Sequence, residues 1–158
     1  MKSHFIKPLF TSKILLSALL VFSLLSCSND DDDDHNDDCN TCTTEQLETI
    51  LTACSDWYIE DLERNNIDLE SNYVGYFFNF SADHTVTVTW DENTANGTWT
   101  ASGSGNNINV TFNIPDFDDI NDTWILDELD NDDNDNDVEV SFEIGTTDDL
   151  EFKNNTCN

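Results

Sequence analysis

The sequence contains very few positively charged residues. Its 158 residues include 5 Lys and Arg against 34 Asp and Glu, which gives a formal net charge of −29. Binding to nucleic acid depends on Lys and Arg that neutralise phosphates, and anionic lipid surfaces also attract basic residues. We therefore expect no nucleic-acid partner, whereas a cationic protein partner or a divalent metal is compatible with this charge. Solubility through self-repulsion is the simpler explanation of such a surface.

Histidine is also scarce, and no catalytic motif is present. After Cys27 the chain holds only His35 and His84, and neither stands in a motif that would place it beside a nucleophile. Carboxylates are close to one another throughout the sequence, but in so acidic a chain their proximity does not indicate a reaction. We therefore expect neither an enzyme nor a bound cofactor.

The apolar segment near the N-terminus is too short to span a bilayer. Ile14–Leu25 covers twelve residues, whereas a membrane-spanning helix needs about 20. Lys2, Lys7 and Lys13 precede this segment, and no acidic residue precedes Cys27. A basic segment followed by a short apolar one is typical of a signal peptide.

The signal segment ends in Leu24-Leu25-Ser26-Cys27, which resembles the lipobox of bacterial lipoproteins. A Leu stands three residues before the cysteine, and a small residue stands directly before it. The resemblance implies that residues 1–26 are removed and that Cys27 becomes an N-terminus acylated with palmitate-type chains. More than one such chain gives a stable membrane anchor, because each buried methylene contributes about 0.8 kcal/mol. An ordinary secretory signal with an incidental cysteine is the alternative.

Five consecutive aspartates, Asp30–Asp34, follow shortly after Cys27. A run of like charges does not pack, so we expect residues 27–43 to form a disordered acidic tether. The run also resembles the acidic export signal of surface lipoproteins in the Bacteroidota. This resemblance implies a lipid-anchored protein of the outer membrane, exposed at the cell surface; the periplasmic face of that membrane is the alternative. Without residues 1–26 the chain keeps two basic residues against 34 acidic ones, a formal charge of −32.

One short helix is predicted before the strands begin. Thr43 and Gln46 have the spacing of a capping box, in which each side chain satisfies a backbone N–H at the start of a helix. Apolar residues follow at the helical positions i, i+3, i+4 and i+7, from Leu47 to Cys54. The pattern predicts a helix over 44–54 that lies on the strands or across one end of them.

Alternation of apolar and polar residues predicts eight strands after this helix. It is clearest in Thr85–Trp90, where valines alternate with threonines. The predicted strands are 56–62, 73–80, 85–90, 97–101, 108–114, 123–129, 138–144 and 150–153. Their short connections contain no second helix, which favours antiparallel neighbours. The fold class is therefore all-β: an eight-stranded antiparallel up-and-down barrel over residues 44–158, preceded by one short helix.

The cysteines after Cys27 are candidates for disulfides, because an exported chain is oxidised. Cys42 and Cys54 bracket the helix at roughly 16 Å, too far for the Cα separation of about 7 Å that a disulfide tolerates. In a closed barrel with an even number of strands, the last strand ends beside the start of the first. Closure therefore predicts a Cys54–Cys157 disulfide, leaving Cys39 and Cys42 to pair or to remain thiols.

Several residues in the predicted domain are similar to those of bacterial lipocalin-like lipoproteins, over roughly 45–154. They are the helix ending in Cys54 with Trp57 opening the first strand, Gly75-Tyr76-Phe77-Phe78, Gly97-Thr98-Trp99 and Trp124. The first-strand Gly-x-Trp of lipocalins is here Ser55-Asp56-Trp57, which keeps the Trp without the Gly. The resemblance implies a barrel able to hold a small apolar ligand.

An eight-stranded barrel either fills its interior with side chains or leaves room for one small ligand. A barrel with room for a ligand makes the chain a binding protein for a small apolar molecule, and we expect a monomer. A filled barrel makes it an interaction module, such as an inhibitor, adhesin or accessory subunit, with an outer apolar patch near Tyr58, Leu62, Tyr73 and Phe77. The residues expected to line a cavity are Trp57, Tyr76, Phe78, Val88, Trp90, Trp99, Val110, Phe112, Val140 and Phe142.

Residue spacing indicates two candidate metal sites, and both are incomplete. Asp132, Asn134 and Asn136, with Glu143, have the spacing of a calcium loop, but they lack its glycine and its flanking helices. A solvated acidic turn explains these residues as well. His35, Cys39 and Cys42 would give three ligands for zinc without a fourth.

Overall fold

The computed structural model describes residue 39, residues 41–130 and residues 137–157. Within these residues the chain forms one α-helix, two short 3₁₀ helices (Glu70–Tyr73 and Gly105–Asn107) and eight strands. The α-helix is α1 (Thr44–Ala53). The strands are β1 (Tyr58–Glu63), β2 (Phe77–Phe80), β3 (Thr85–Trp90), β4 (Asn93–Ser102), β5 (Asn109–Asn113), β6 (Thr123–Asp130), β7 (Val138–Ile144) and β8 (Asp148–Asn154).

All eight strands belong to one antiparallel sheet in the order β1-β8-β7-β6-β5-β4-β3-β2. The predicted all-β class, the eight antiparallel strands and the single preceding helix are therefore confirmed. The first strand pairs with the last, from Tyr58 opposite Lys153 to Glu63 opposite Asp149. The sheet is not closed by a ladder, because β1 and β2 remain its two edges.

The two edges of the sheet nevertheless meet at one pair of residues. The Trp57 N–H donates to the Phe78 carbonyl at 3.0 Å, and the Phe78 N–H donates to the Trp57 carbonyl at 2.7 Å. Beyond this bridge the chain between β1 and β2 turns through the 3₁₀ helix Glu70–Tyr73 instead of continuing the pairing. The same helix and the positive φ of Gly75 (85°) explain why β2 begins at Phe77 and not at the predicted Tyr73.

A bulge in β1 explains why one expected surface residue is buried. Ile59 pairs with Phe152 and Asp61 with Glu151, so one extra residue, Glu60, lies between them. An extra residue reverses the alternation of faces beyond it. Leu62 consequently points into the core and is fully buried, so its expected place in an outer patch was wrong. The placement of Tyr73 was also wrong, since only 9% of its surface is exposed, whereas Phe77 is 42% exposed.

The helix lies across one end of the sheet. Thr43 and Gln46 form the predicted capping box, and Leu47 and Leu51 are buried. The Trp57 indole N–H donates to the Leu51 carbonyl at 3.1 Å, which fixes the helix to the start of β1. We call this the helix end; it also contains the connections 81–84 and 103–108. The opposite end, which we call the cleft end, contains the connections 64–76, 91–92, 114–122 and 145–147.

Aromatic rings fill the space enclosed by the sheet. Phe152 lies at the centre, with its ring 5.1 Å from Phe78, 5.5 Å from Phe80, 5.9 Å from Phe112 and 6.3 Å from Phe142. All four contacts are edge-to-face, the geometry that aromatic quadrupoles favour. The core is thus formed by rings from distant strands in direct contact with one another.

The cysteines come together in two pairs. Cys54 precedes β1 and Cys157 follows β8, and their Cα atoms are 5.1 Å apart. Cys39 and Cys42 have Cα atoms 4.9 Å apart. Both separations lie in the range that a disulfide requires, so the positions are consistent with the pairing that barrel closure suggests.

We expect the two disulfides to differ in their contribution to stability. Removing the Cys54–Cys157 link with the double variant Cys54→Ser and Cys157→Ser should lower the free energy of unfolding by up to about 4.7 kcal/mol, because the link closes a loop of roughly 100 residues. The matched double variant Cys39→Ser and Cys42→Ser removes a link that closes only a short loop. Its free energy of unfolding should therefore fall by about 2 kcal/mol. Urea denaturation of both variants measures the difference. Equal losses would show that loop closure does not explain the effect.

Acidic side chains crowd the outer face where β1, β8 and β7 lie side by side. Glu151 on β8 is opposite Asp61 on β1. Partial burial of the Glu151 carboxyl raises its pKa to about 7, and the negative charges of Glu139 and Glu60 add to the rise. Burial likewise raises the pKa of Asp149. The folded protein therefore keeps a proton on Glu151 at a pH where the unfolded chain has released it.

This shift predicts a dependence of stability on pH. Because the folded pKa lies above its usual value of 4.5, the stabilising contribution is fully present below about pH 4.5 and is lost as the pH rises through 7. Glu151→Gln should raise the melting temperature at pH 8 and flatten its fall between pH 5 and 8. Glu92→Gln, in the exposed turn 91–92, removes the same charge and should leave that fall in place. A parallel profile for Glu151→Gln and wild type would contradict the assignment.

Candidate functional site

An open cleft of about 440 Å³ lies at the cleft end of the sheet. Residues from the connection 64–76, the end of β3, the start of β4 and the connection 114–122 form its walls. The volume falls in the range typical of small-molecule sites. Its lining residues are Asn72, Tyr73, Tyr76, Trp90, Thr94, Ala95, Asn96, Pro115, Asp116 and Phe117.

Four aromatic rings in mutual contact form one wall. Tyr76 and Trp90 are stacked, with ring centres 5.0 Å apart and planes within 11° of parallel. Phe117 meets Trp90 edge-on at 5.6 Å, and Tyr73 meets Tyr76 edge-on at 5.5 Å. Tyr76 and Trp90 are partly exposed, whereas Phe117 is buried. The stacked pair is therefore the aromatic surface that the cleft presents to solvent.

Polar groups without internal partners complete the cleft. Within the described residues, no hydrogen bond engages the side chains of Asn72, Thr94 or Asp116. Asn96 uses its side-chain oxygen to accept a hydrogen bond from the Thr87 hydroxyl at 3.1 Å. Two amides, one hydroxyl and one carboxylate thus line the cleft beside an aromatic surface, which is the usual composition of a recognition site.

The loop that carries Asp116 and Phe117 is held by its own side chains. The Asn121 side chain accepts from the Ile114 N–H and donates to the Ile114 carbonyl, both at 2.6 Å, in place of a strand partner. The Phe117 and Ile120 N–H groups donate to the carbonyls of Ile114 and Phe117, at 3.2 and 3.0 Å. These bonds fold the loop back over the sheet, so that Phe117 enters the aromatic cluster.

Gly97 allows this loop to approach β4 closely. A Cβ atom at Gly97 would lie 2.6 Å from the Asn113 carbonyl oxygen and 2.8 Å from the Ile114 Cα. Both are backbone atoms that cannot move aside easily. The end of β5, and with it the start of the loop at Pro115, can lie against β4 only because residue 97 has no side chain.

Tyr73 links two segments that form the walls of the cleft. Its hydroxyl donates to the Asp119 carboxylate at 3.2 Å. Burial raises the pKa of Tyr73, and the negative charge of Asp119 raises it further, so the phenol stays protonated. This bond connects the 3₁₀ helix Glu70–Tyr73 to the loop 114–122, and the two walls of the cleft hold each other in place.

The residues expected to line an interior cavity are divided between the core and the cleft. Eight of the ten have at most 2% of their surface exposed, and only Tyr76 and Trp90 reach the cleft. The eight core residues are Trp57, Phe78, Val88, Trp99, Val110, Phe112, Val140 and Phe142.

The other sequence-predicted sites can be placed only in part. Cys27 and His35 lie outside the described residues, and so does the calcium candidate formed by Asp132, Asn134 and Asn136. In the part of the chain that the structure describes, no group of three or more His, Cys, Asp or Glu side chains is arranged to hold a metal ion. Among these same residues, no helix combines the length and the apolar composition that a membrane crossing needs.

Sequence reasoning did not identify the loop residues of the cleft. Asp116 and Phe117 lie in a segment that reads as an acidic turn, Pro115-Asp116-Phe117-Asp118-Asp119-Ile120. The signal that was available is the pair Phe117 and Ile120, two large apolar residues in an otherwise charged loop. Both are buried, at 4% and 0% exposure.

The fold and the cleft together define an all-β protein with one eight-stranded antiparallel sheet and an open site at one end. No protein-family model, no curated protein and no solved structure matches the chain.

Proposed function

We propose that this chain is a lipid-anchored protein of the outer membrane, exposed at the cell surface, which binds a small ligand in the open cleft. In this proposal the lipocalin-like barrel is a filled scaffold, and the ligand contacts the end of the barrel instead of its interior. The observation that carries the proposal is the cleft of about 440 Å³, with its partly exposed Tyr76–Trp90 pair and its unpartnered polar side chains.

The packing of the core supports a filled scaffold. Five of the residues expected to line a cavity are fully buried, with 0% of their surface exposed. An apolar ligand in the interior would have to displace rings that are in contact with Phe152 at 5.1 to 6.3 Å. The five residues are Trp57, Phe78, Val88, Val110 and Val140.

The barrel assignment is supported by the meeting of the two sheet edges. Strands β1 and β2 are joined by the two hydrogen bonds between Trp57 and Phe78. The helix α1 covers one end of the enclosed space, and Phe117 with Ile120 covers the other. We therefore describe the sheet as a barrel whose wall is open between β1 and β2 beyond that bridge.

The position of the cleft suits a protein held by its N-terminal segment. Cys39 is hydrogen-bonded to the Asp127 carbonyl at 3.3 Å, and Cys42 accepts from the Gly105 N–H at 2.9 Å, so the described chain begins at the helix end. Strand β3 runs from Thr85 at that end to Trp90 at the cleft, about 17 Å at the usual rise per residue. In this proposal the point where the tether joins the domain and the cleft therefore lie at opposite ends of the sheet.

An interaction module is the second candidate function. Three large apolar side chains are well exposed within residues 67–77: Ile67 at 60%, Val74 at 83% and Phe77 at 42%. Exposed apolar residues in one segment are typical of a contact surface for another protein. This segment adjoins the cleft through Asn72, Tyr73 and Tyr76, so a partner protein would cover both.

The anchor is tested by replacing the acylated cysteine. We expect Cys27→Ser to abolish metabolic labelling with radioactive palmitate and to release the protein from the membrane fraction, because no acyl chains remain to hold it. Protease added to intact cells should digest the wild-type protein if it is exposed at the surface. Labelling of Cys27→Ser to the wild-type level would contradict lipidation at this residue, and protection from protease would place the protein at the periplasmic face.

The cleft is tested by equilibrium dialysis against a mixture of small metabolites, with mass spectrometry of what is retained. The wild-type protein and the control Thr100→Ala, on the outer face of β4, should retain the same compound. Trp90→Ala should lose it at least tenfold while keeping the wild-type circular dichroism spectrum, because it removes a partly exposed ring and leaves the contacts around Phe152 in place. Equal retention by Trp90→Ala, or no retained compound in any sample, would contradict a ligand site in the cleft.

A further inference from the structure

We infer that the cleft binds an organic ammonium cation, in particular a trimethylammonium group. The inference rests on the proposed function, because it names the class of ligand that the same cleft takes. Such a group is apolar on its surface and positively charged as a whole, so it is recognised by aromatic faces together with a carboxylate. The cleft provides both, through the Tyr76–Trp90 pair and Asp116.

The aromatic wall has the composition that a cation needs. Trp is the strongest of the aromatic residues at attracting a cation over its face, within about 6 Å of the ring centre. Trp90 is the one partly exposed Trp among the four in the sequence, and the other three are buried. The rings of the cluster touch one another at 5.0 to 6.1 Å, which leaves no space between them. The cation would therefore lie on the open side of the pair, in the cleft.

No basic side chain of the described residues is available to neutralise this cleft. Only Arg64 and Lys153 carry a positive charge there, and both are engaged elsewhere. Lys153 lies at the helix end in ion pairs with Glu139 and with Asp137, the latter at 3.6 Å. The Asp116 carboxylate makes no hydrogen bond within the described residues, so its charge is free to attract an added cation.

The chain already holds one cation by this same combination of groups. The Arg64 guanidinium lies 4.9 Å above the Trp124 ring, 2.9 Å from the Asp122 carboxylate and 3.5 Å from that of Asp148. Hydrogen bonding from Arg64 lowers the pKa of Asp122, which keeps this carboxylate charged. The cleft lining contains the same two kinds of group, the Trp90 indole and the Asp116 carboxylate, and it contains no basic side chain.

An inorganic cation is a poorer fit to the cleft. Calcium takes six to eight oxygen ligands, several of them carboxylates. The cleft lining contains a single carboxylate, Asp116, beside two amides and one threonine. An aromatic surface contributes nothing to a hydrated metal ion, but it contributes directly to a desolvated alkyl ammonium.

The charge on the ligand is tested with a pair of molecules of the same shape. Choline and its neutral carbon isostere, 3,3-dimethyl-1-butanol, are titrated by calorimetry at low ionic strength into the full chain, purified in a detergent without ammonium groups. We expect choline to bind at least tenfold more tightly than the isostere. In parallel, choline should change the Trp fluorescence, because Trp90 is the one partly exposed indole.

Variants test the residues that carry the inference. Asp116 has a positive φ of 69°, which Asn also tolerates, so Asp116→Asn removes the charge without straining the loop. It should weaken choline binding about fivefold to tenfold and leave the isostere unaffected. Asp118→Asn, in the same loop but outside the lining, should weaken choline by less than twofold. Trp90→Phe keeps a ring with a weaker quadrupole and should reduce choline affinity while retaining part of it.

The source of the ammonium group is distinguished by glycerophosphocholine, which has the headgroup of a phosphatidylcholine lipid without its acyl chains. Undiminished affinity would assign a lipid headgroup, and a loss relative to choline would assign a free cation. Equal binding of choline and its isostere, no binding of choline, or equal effects of Asp116→Asn and Asp118→Asn would overturn the inference. If the dialysis experiment retained a neutral compound in the same cleft, the ligand site would stand and the ammonium assignment would fall.

Discussion

The pairing of β1 with β8 is the constraint on which the rest of the structure depends. The two strands are separated by almost the whole domain, and they bring Cys54 and Cys157 to a Cα distance of 5.1 Å. With β1 fixed beside β8, Trp57 reaches β2 and also receives the helix through its bond to the Leu51 carbonyl. The enclosed space and the covering of its helix end both follow from this one long-range contact.

Because the core is filled with side chains, a ligand site has to be sought at the two ends of the sheet. At the helix end α1 covers the core, and at the other end Phe117 and Tyr73 pack over it while leaving a cleft outside. No single strand forms the cleft. It lies where the 3₁₀ helix Glu70–Tyr73, the end of β3 and the loop 114–122 come together. Rigid neighbours hold it, since Asn121 fixes the loop to Ile114 and Asp119 fixes it to Tyr73.

The sequence predicted strands well where alternation is unbroken and poorly where one residue interrupts it. The bounds of β3 and β7 were predicted to the residue, because valines or phenylalanine alternate there with polar residues. In β1 the extra residue Glu60 reverses which side chains point into the core. Only the pairing of β1 with β8 reveals this bulge, so the burial of Leu62 could not be predicted from the sequence. The cleft was missed for a similar reason: Phe117, which contacts Trp90 at 5.6 Å, lies in a loop whose start approaches β4 closely at Gly97.

The link between the two ends of the domain has a mechanical consequence. In the anchored form that we propose, any pull on the N-terminal tether enters the domain before Cys54, next to the start of β1. Without the Cys54–Cys157 contact this force would act on β1 alone and peel it from β8 one hydrogen bond at a time. With the two cysteines bonded, the load is shared between the first strand and the last, which must then shear together.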